Sequence, residues 1–167
     1  MEDNLKAEGF SPELFGRLGT PAAPEDVIAS HSSLELAFLG DTVHDLTVRQ
    51  LLLLQANRPI KQQHRLATQY VRADAQALLY DVLARGDSPL TDPEREVMRR
   101  GRNQSHTSGR GSSVNEYRKA TGFEALLGFL YLAGQQGRAV SLVQYAMEHT
   151  KEAAGQQAAQ QTDEPIG

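Results

Sequence analysis

The stretch Ser32-Ser33-Leu34-Glu35-Leu36-Ala37-Phe38-Leu39-Gly40-Asp41-Thr42-Val43-His44-Asp45-Leu46, continuing through Leu51-Leu52-Leu53-Leu54-Gln55, decides the fold of this chain. Ser32 followed three positions later by Glu35 is a capping box, which satisfies two of the free amides that open a helix. Leu36, Leu39, Val43 and Leu46 then recur at helical spacing and are expected to form one buried stripe. The helix ends before Asn57-Arg58-Pro59. One residue is out of place in its apolar heart: Asp41.

Outward from this helix, the same signals recur. Thr91…Glu94 and Ser113…Glu116 are two further capping boxes, and they start helices over about 92–102 and 113–134. A helical segment over 60–85 is expected to bend near Arg72-Ala73 and to stop at Arg85-Gly86, and a last helix covers about 138–151. No segment alternates apolar and polar residues as a half-buried strand does. The fold class is therefore all-α. Residues 1–29 hold Pro12, Pro21 and Pro24 among scattered glycines and are expected to be a largely disordered tail with one helical turn near Glu13–Leu18. Residues 154–167 are polar and are expected to be a second disordered tail, which leaves 30–153 as the folded domain.

Composition narrows the chemistry. With 167 residues of which 40% are hydrophobic, the chain has material for one domain and one core. Cys is absent, so disulfides, cysteine-ligated zinc, iron–sulfur clusters and cysteine nucleophiles are excluded together. No apolar run approaches the roughly 20 residues of a membrane-spanning helix, and the start Met1-Glu2-Asp3 is acidic where a signal peptide is basic. A soluble, cytoplasmic protein without membrane contact is expected. The net charge of −4 hides a basic middle, because residues 58–119 carry 12 basic and 7 acidic groups. Arg95, Arg99, Arg100, Arg102, Arg110, Arg118 and Lys119 concentrate that excess and could meet a polyanion.

Asp41 has a counterpart in Glu124, set in the equally apolar Gly122-Phe123-Glu124-Ala125-Leu126-Leu127. A buried carboxylate is costly unless paired, hydrogen-bonded or bound to a metal. Together the two make an oxygen-rich site for a hard cation, Mg²⁺ or Mn²⁺, which is commonly held by one or two carboxylates plus waters and phosphate oxygens. The plainer reading, in which each pairs with an arginine or caps a helix, stands beside it. Asp45, one turn after Asp41, is placed to assist the metal or its waters.

These residues also carry a resemblance. Leu36-Ala37-Phe38-Leu39-Gly40-Asp41-Thr42-Val43 resembles the signature helix of the ribonuclease III family. Arg100-Gly101-Arg102-Asn103, then a Ser/Gly loop, then Tyr117-Arg118-Lys119-Ala120-Thr121-Gly122-Phe123-Glu124-Ala125-Leu126-Leu127-Gly128-Phe129-Leu130, is similar to the Mini-III branch, which lacks a double-stranded-RNA-binding domain. The likeness spans about residues 31–150. It implies a ribonuclease III endonuclease-like helical domain that acts as a homodimer. The implied activity is metal-dependent cleavage of double-stranded RNA, leaving 5′-phosphate and 3′-hydroxyl ends, in maturation of ribosomal RNA precursors of the large subunit.

The resemblance also assigns roles. Asp41 falls on the family's essential Asp and Glu124 on its essential Glu, as catalytic and metal-holding groups. Ala37 and Thr121 stand where full-length enzymes have Glu and Asp, as they do in the Mini-III branch, which leaves one or two metal ions per site open. Leu34, Ala37, Phe38 and Gly40 fall in the segment used for the subunit contact. Duplex RNA is recognised through phosphates and 2′-hydroxyls, so a domain without a separate module supplies its own cationic surface. Arg99, Arg100, Arg102, Asn103 and Arg110 are the expected RNA-binding residues, with Arg118 and Lys119 holding a strand near Glu124.

Two other classes compete. His44-Asp45 is a histidine–aspartate dyad like that of HD-type metal-dependent phosphohydrolases, with His31 or His64 as further ligands. Against it, His44 is expected simply to lie on a partly exposed helix face. A non-catalytic RNA-binding helical scaffold is the other alternative, and it needs neither carboxylate.

Overall fold

A computed structural model describes residues 9–104 and 112–161, and every regular element among them is a helix. In chain order these are α1 (Pro12–Arg17), α2 (Pro24–Ser30), α3 (Ser33–Gln55), α4 (Ile60–Val71), α5 (Ala73–Leu83), α6 (Asp92–Gln104), α7 (Ser112–Leu132) and α8 (Gln136–Gln161). The all-α expectation holds, and no helix among the described residues is long and apolar enough to cross a membrane.

Local chemistry accounts for the helix starts. The Ser32 hydroxyl accepts from the Glu35 amide at 3.2 Å while the Ser32 amide donates to Glu35 Oε2 at 2.7 Å. Thr91 and Glu94 exchange the same pair of bonds at 3.4 and 2.8 Å. Glu94 is then buried 2.8 Å from the Arg138 guanidinium, which ties the start of α6 to α8. The helix expected from Ser113 is present as well, with α7 beginning one residue earlier at Ser112. The bend expected at Arg72 is a full break: Arg72 is extended, with ψ 152°, and separates α4 from α5.

Helix α7 is the centre. Apart from Glu124, its second half is apolar, with Phe123, Ala125, Leu126, Leu127, Phe129 and Leu130 all buried, and such a helix must be surrounded. Helices α2, α3, α5, α6 and α8 surround it. The α3–α7 contact is backbone on backbone: a Cβ on Gly40 would run into the Glu124 carbonyl, and one on Gly128 into the Leu36 carbonyl. Only glycine at both positions permits it.

That contact rotates α3 away from the expected face. The buried positions are Ser33, Leu36, Ala37, Gly40, His44, Val48 and Leu52, while Leu46, assigned to the buried stripe, is 62% exposed. Leu39 and Val43 are half-buried. Small residues face α7 because the helix axes are too close there to admit leucines. Ala37 and Gly40, expected in a subunit contact, are thus spent inside the chain's own core. Of that group only Leu34 and Phe38 point outward, Phe38 being 85% exposed.

Both tails are shorter than expected. Pro24 opens α2, followed by Glu25 and Asp26 in its first turn, and Val27 is only 1% exposed against the core. The Ala22 amide donates to Leu132 O at 3.0 Å, and Pro21 lies over Gly134, whose φ of 70° turns α7 into α8. Two of the three prolines that suggest disorder, Pro12 and Pro24, are helix starters, since the missing amide costs nothing in a first turn. At the other end α8 continues through 154–161. Alanine and glutamine are good helix formers. Residues 1–8, 105–111 and 162–167 lie outside the described residues, and the remaining tail expectations fall there.

Candidate active site

The glycine contact also builds the site. Asp41 follows Gly40 on α3, and Gly40 rests against the backbone of Glu124 on α7, so one crossing brings both carboxylates together. The Glu124 carboxyl is pushed up from its ordinary 4.5 to about 8. Burial is the largest cause, and the charge of Asp41 and a hydrogen bond with it act in the same direction. Glu124 is half-buried, but Asp41, expected to be buried, is exposed. The pair sits at the edge of the core, where one acid is held in the protein and the other faces solvent.

A third side chain, absent from the sequence-based expectations, joins them. Gln76 of α5 acts on Glu124 through its amide, lowering the pKa that burial raises. It is 1% exposed, and its Nε2 has no hydrogen-bond partner at full geometry, so its contact with the carboxylate is long or poorly aligned. Its signal in the sequence is a lone polar residue in the apolar run Ala75-Gln76-Ala77-Leu78-Leu79-Tyr80.

The donor set is sparse. Among the described residues no group of three or more His, Cys, Asp or Glu side chains is placed to hold a metal. Ala37 and Thr121 are both buried, and the Thr121 hydroxyl donates to Tyr117 O at 3.0 Å. Two carboxylate oxygen donors beside an amide fit a hard cation that keeps several of its waters, and they do not form a closed cage. Asp45 is engaged elsewhere: both its oxygens accept from Arg49 Nε, at 2.9 and 2.8 Å.

His44 is not on a partly exposed face. It is fully buried, its Nε2 lies 3.1 Å from Tyr70 O, and its ring meets Phe123 edge-on with centroids 5.1 Å apart. Burial lowers its pKa and favours the neutral ring. A fully buried imidazole bonded to a carbonyl cannot serve the open metal site of a phosphohydrolase, so the histidine–aspartate reading loses its first ligand.

The cationic residues divide. Arg99 and Arg100 are exposed on α6 and share Glu96, each at 2.8 Å. Arg102 reaches Asn115 Oδ1 of α7 at 3.4 Å, and Asn103 is exposed beside it. Lys119 is tied to Asp81 of α5 at 2.8 Å and works first as a strut between helices. Arg118 is half-buried, and Arg110 lies outside the described residues.

Comparison with known proteins identifies the family. The ribonuclease III domain pattern matches residues 34–135. A Mini-ribonuclease 3 of Thermoanaerobacter is 38% identical over 138 residues, which cover 80% of this chain and 92% of that protein. The Mini-ribonuclease 3 of Symbiobacterium thermophilum is 41% identical over 116 residues, covering 69% of this chain and 87% of that protein. A crystal structure of a Fusobacterium nucleatum protein superposes with a TM-score of 0.62 at 29% identity, over 72% of this chain and 95% of the other. The residues matched include α3 and α7, the two helices that carry Asp41 and Glu124, and the chain belongs to the ribonuclease III family as an endoribonuclease of the Mini-ribonuclease 3 branch.

Proposed function

We propose that Asp41 and Glu124 hold a divalent cation, Mg²⁺ with Mn²⁺ as a substitute, and that this endoribonuclease works on double-stranded RNA as a symmetric homodimer. The observation that carries the reading is the crowding of the two acids. A half-buried Glu124 held near pKa 8 beside Asp41 is unfavourable as two negative charges and becomes favourable once a cation lies between them. Metal dependence is a property of ribonuclease III enzymes. When bound, such an ion supplies a more acidic water and neutralises charge developing on the phosphodiester.

The chain's own residues do the rest. Glu124, anchored in the core, keeps its carboxylate fixed, while exposed Asp41 meets the substrate side. Water oxygen bonds to phosphorus, the P–O3′ bond breaks, and the 3′ oxygen takes a proton, giving a 5′-phosphate and a 3′-hydroxyl. Arg99, Arg100, Arg102, Asn103 and Arg110 bind the RNA backbone, with Arg118 and Lys119 alongside. Asp45, through Arg49, borders the site without holding the ion.

Cutting both strands calls for two sites related by a two-fold axis, which a symmetric dimer supplies. Phe38, three residues before Asp41 and almost fully exposed, is the apolar anchor of that contact, with Leu34 one turn before it. Large-subunit ribosomal RNA precursors in the cytoplasm are the substrate we favour, on the Mini-ribonuclease 3 relationship alone.

Three measurements test this reading. Asp41→Asn or Glu124→Gln is expected to lower cleavage of long duplex RNA by at least about 10³-fold, leaving the fold and the dimer intact; near-normal turnover in either would refute the assignment. Phe38→Glu is expected to sediment as a monomer, and an active Phe38→Glu dimer would contradict the interface. Replacing Arg99, Arg100 and Arg102 together is expected to weaken all duplexes alike in Mg²⁺-free filter binding and to flatten the salt dependence by roughly one unit of slope for each arginine that meets a phosphate. Unchanged affinity and slope would mean that these arginines only solvate the end of α6.

A further inference from the structure

We propose that Gln76 is a positioning residue of the metal site, whose side-chain amide holds the Glu124 carboxylate turned toward Asp41. The inference rests on the reading of Asp41 and Glu124 as ligands of the cation.

The placement comes from how α5 lies on α7. Asp81 of α5 is bonded to Lys119 of α7 at 2.8 Å. Tyr80 comes next, packed so closely on Gly122 that a Cβ there would lie 2.8 Å from Tyr80 Cε2. Going back along α5 therefore means going forward along α7, and the two helices are antiparallel. Gln76 is one turn before Tyr80 on the same face of α5, which puts it on the Glu124 side of Gly122.

The chemistry of the position is equally restrictive. Gln76 is buried, and its Nε2 has no hydrogen-bond partner. A buried donor without a partner is destabilising, and such groups in folded proteins call for an explanation. The neighbouring carboxylate supplies one: active-site hydrogen bonds are often long in the free protein and tighten when the site is loaded. The pull of the Gln76 amide on the Glu124 pKa indicates the same pairing.

An amide suits this task better than a cation would. Lysine or arginine at position 76 would neutralise Glu124 and compete with the metal, whereas a glutamine orients the carboxylate and leaves its charge available. The orientation matters more here than in a four-carboxylate site, because Ala37 and Thr121 contribute no charge. With only two acids holding the ion, a rotation of Glu124 removes half of the protein's charged ligands.

The test uses the full chain with Gln76→Leu, which fills the space and removes the donor, and Glu124→Gln in parallel. Mn²⁺ binding is titrated on the RNA-free protein, the Mg²⁺ concentration for half-maximal cleavage is measured, and Mg²⁺-free duplex binding and the melting temperature are recorded. Gln76→Leu is expected to weaken Mn²⁺ binding and raise the Mg²⁺ requirement about tenfold or more. Turnover at saturating Mg²⁺ should fall much less, and metal-free duplex affinity and melting temperature should stay near wild type. Wild-type Mn²⁺ affinity and Mg²⁺ requirement in Gln76→Leu overturn the proposal. If the leucine variant does not fold, Gln76→Met, unbranched and closer in shape, carries the same comparison. Should Glu124→Gln also bind Mn²⁺ like wild type, the ligand assignment itself fails and the role of Gln76 with it; if Glu124→Gln loses the ion and Gln76→Leu does not, the Gln76 role alone fails.

Discussion

The contact between Gly40 and Gly128 governs this molecule. Two helix backbones touch there, with each glycine facing a carbonyl of the other helix. Any side chain would push them apart, and overpacking of that kind costs about 1–3 kcal/mol even where neighbours can yield. Backbone atoms yield least. Because Asp41 is the next residue after Gly40, and Glu124 contributes the carbonyl that Gly40 meets, the separation of the helices is also the separation of the acids. Packing and chemistry share one constraint, so a loosened crossing would disturb the site before it disturbed the fold.

The site works against stability. Glu124 titrates near 8 in the folded chain and near its ordinary 4.5 when unfolded, so the folded state holds the extra proton between those values. Stability from this group is therefore fully present below about 4.5 and is lost as pH rises through about 8. A bound cation reverses the balance, since it favours the ionised pair. The apolar packing of α7 against five helices offsets the remaining cost, and Glu94–Arg138 and Lys119–Asp81 fasten α6 to α8 and α5 to α7 around it.

Much of this is legible in the sequence, for reasons that are local. The capping boxes at Ser32 and Thr91 are short-range chemistry and form as their spacing predicts, the all-α class follows from helical periodicity, and Asp41 and Glu124 do come together. Register is not legible. Leucines at helical spacing suggest a stripe through Leu46, but the face that packs is set by Gly40 and Ala37, whose small size counts only once α7 is known to lie on them. His44 looks amphipathic and is buried because Tyr70 and Phe123, both distant in sequence, enclose it. Gln76 lacks any local signal beyond its polarity, since its meaning depends on Tyr80 meeting Gly122. Pro24 is ambiguous because a proline marks a helix start as readily as a disordered segment, and the burial of Val27 decides between them.

The most direct test of the linked packing and chemistry is a carbon-13 NMR titration of the Glu124 carboxyl in the full chain, with and without saturating Mg²⁺. The expected midpoint is near 8 in the metal-free protein, with a fall of about two units or more when Mg²⁺ is added. A midpoint near the ordinary 4.5 that Mg²⁺ does not move would contradict it.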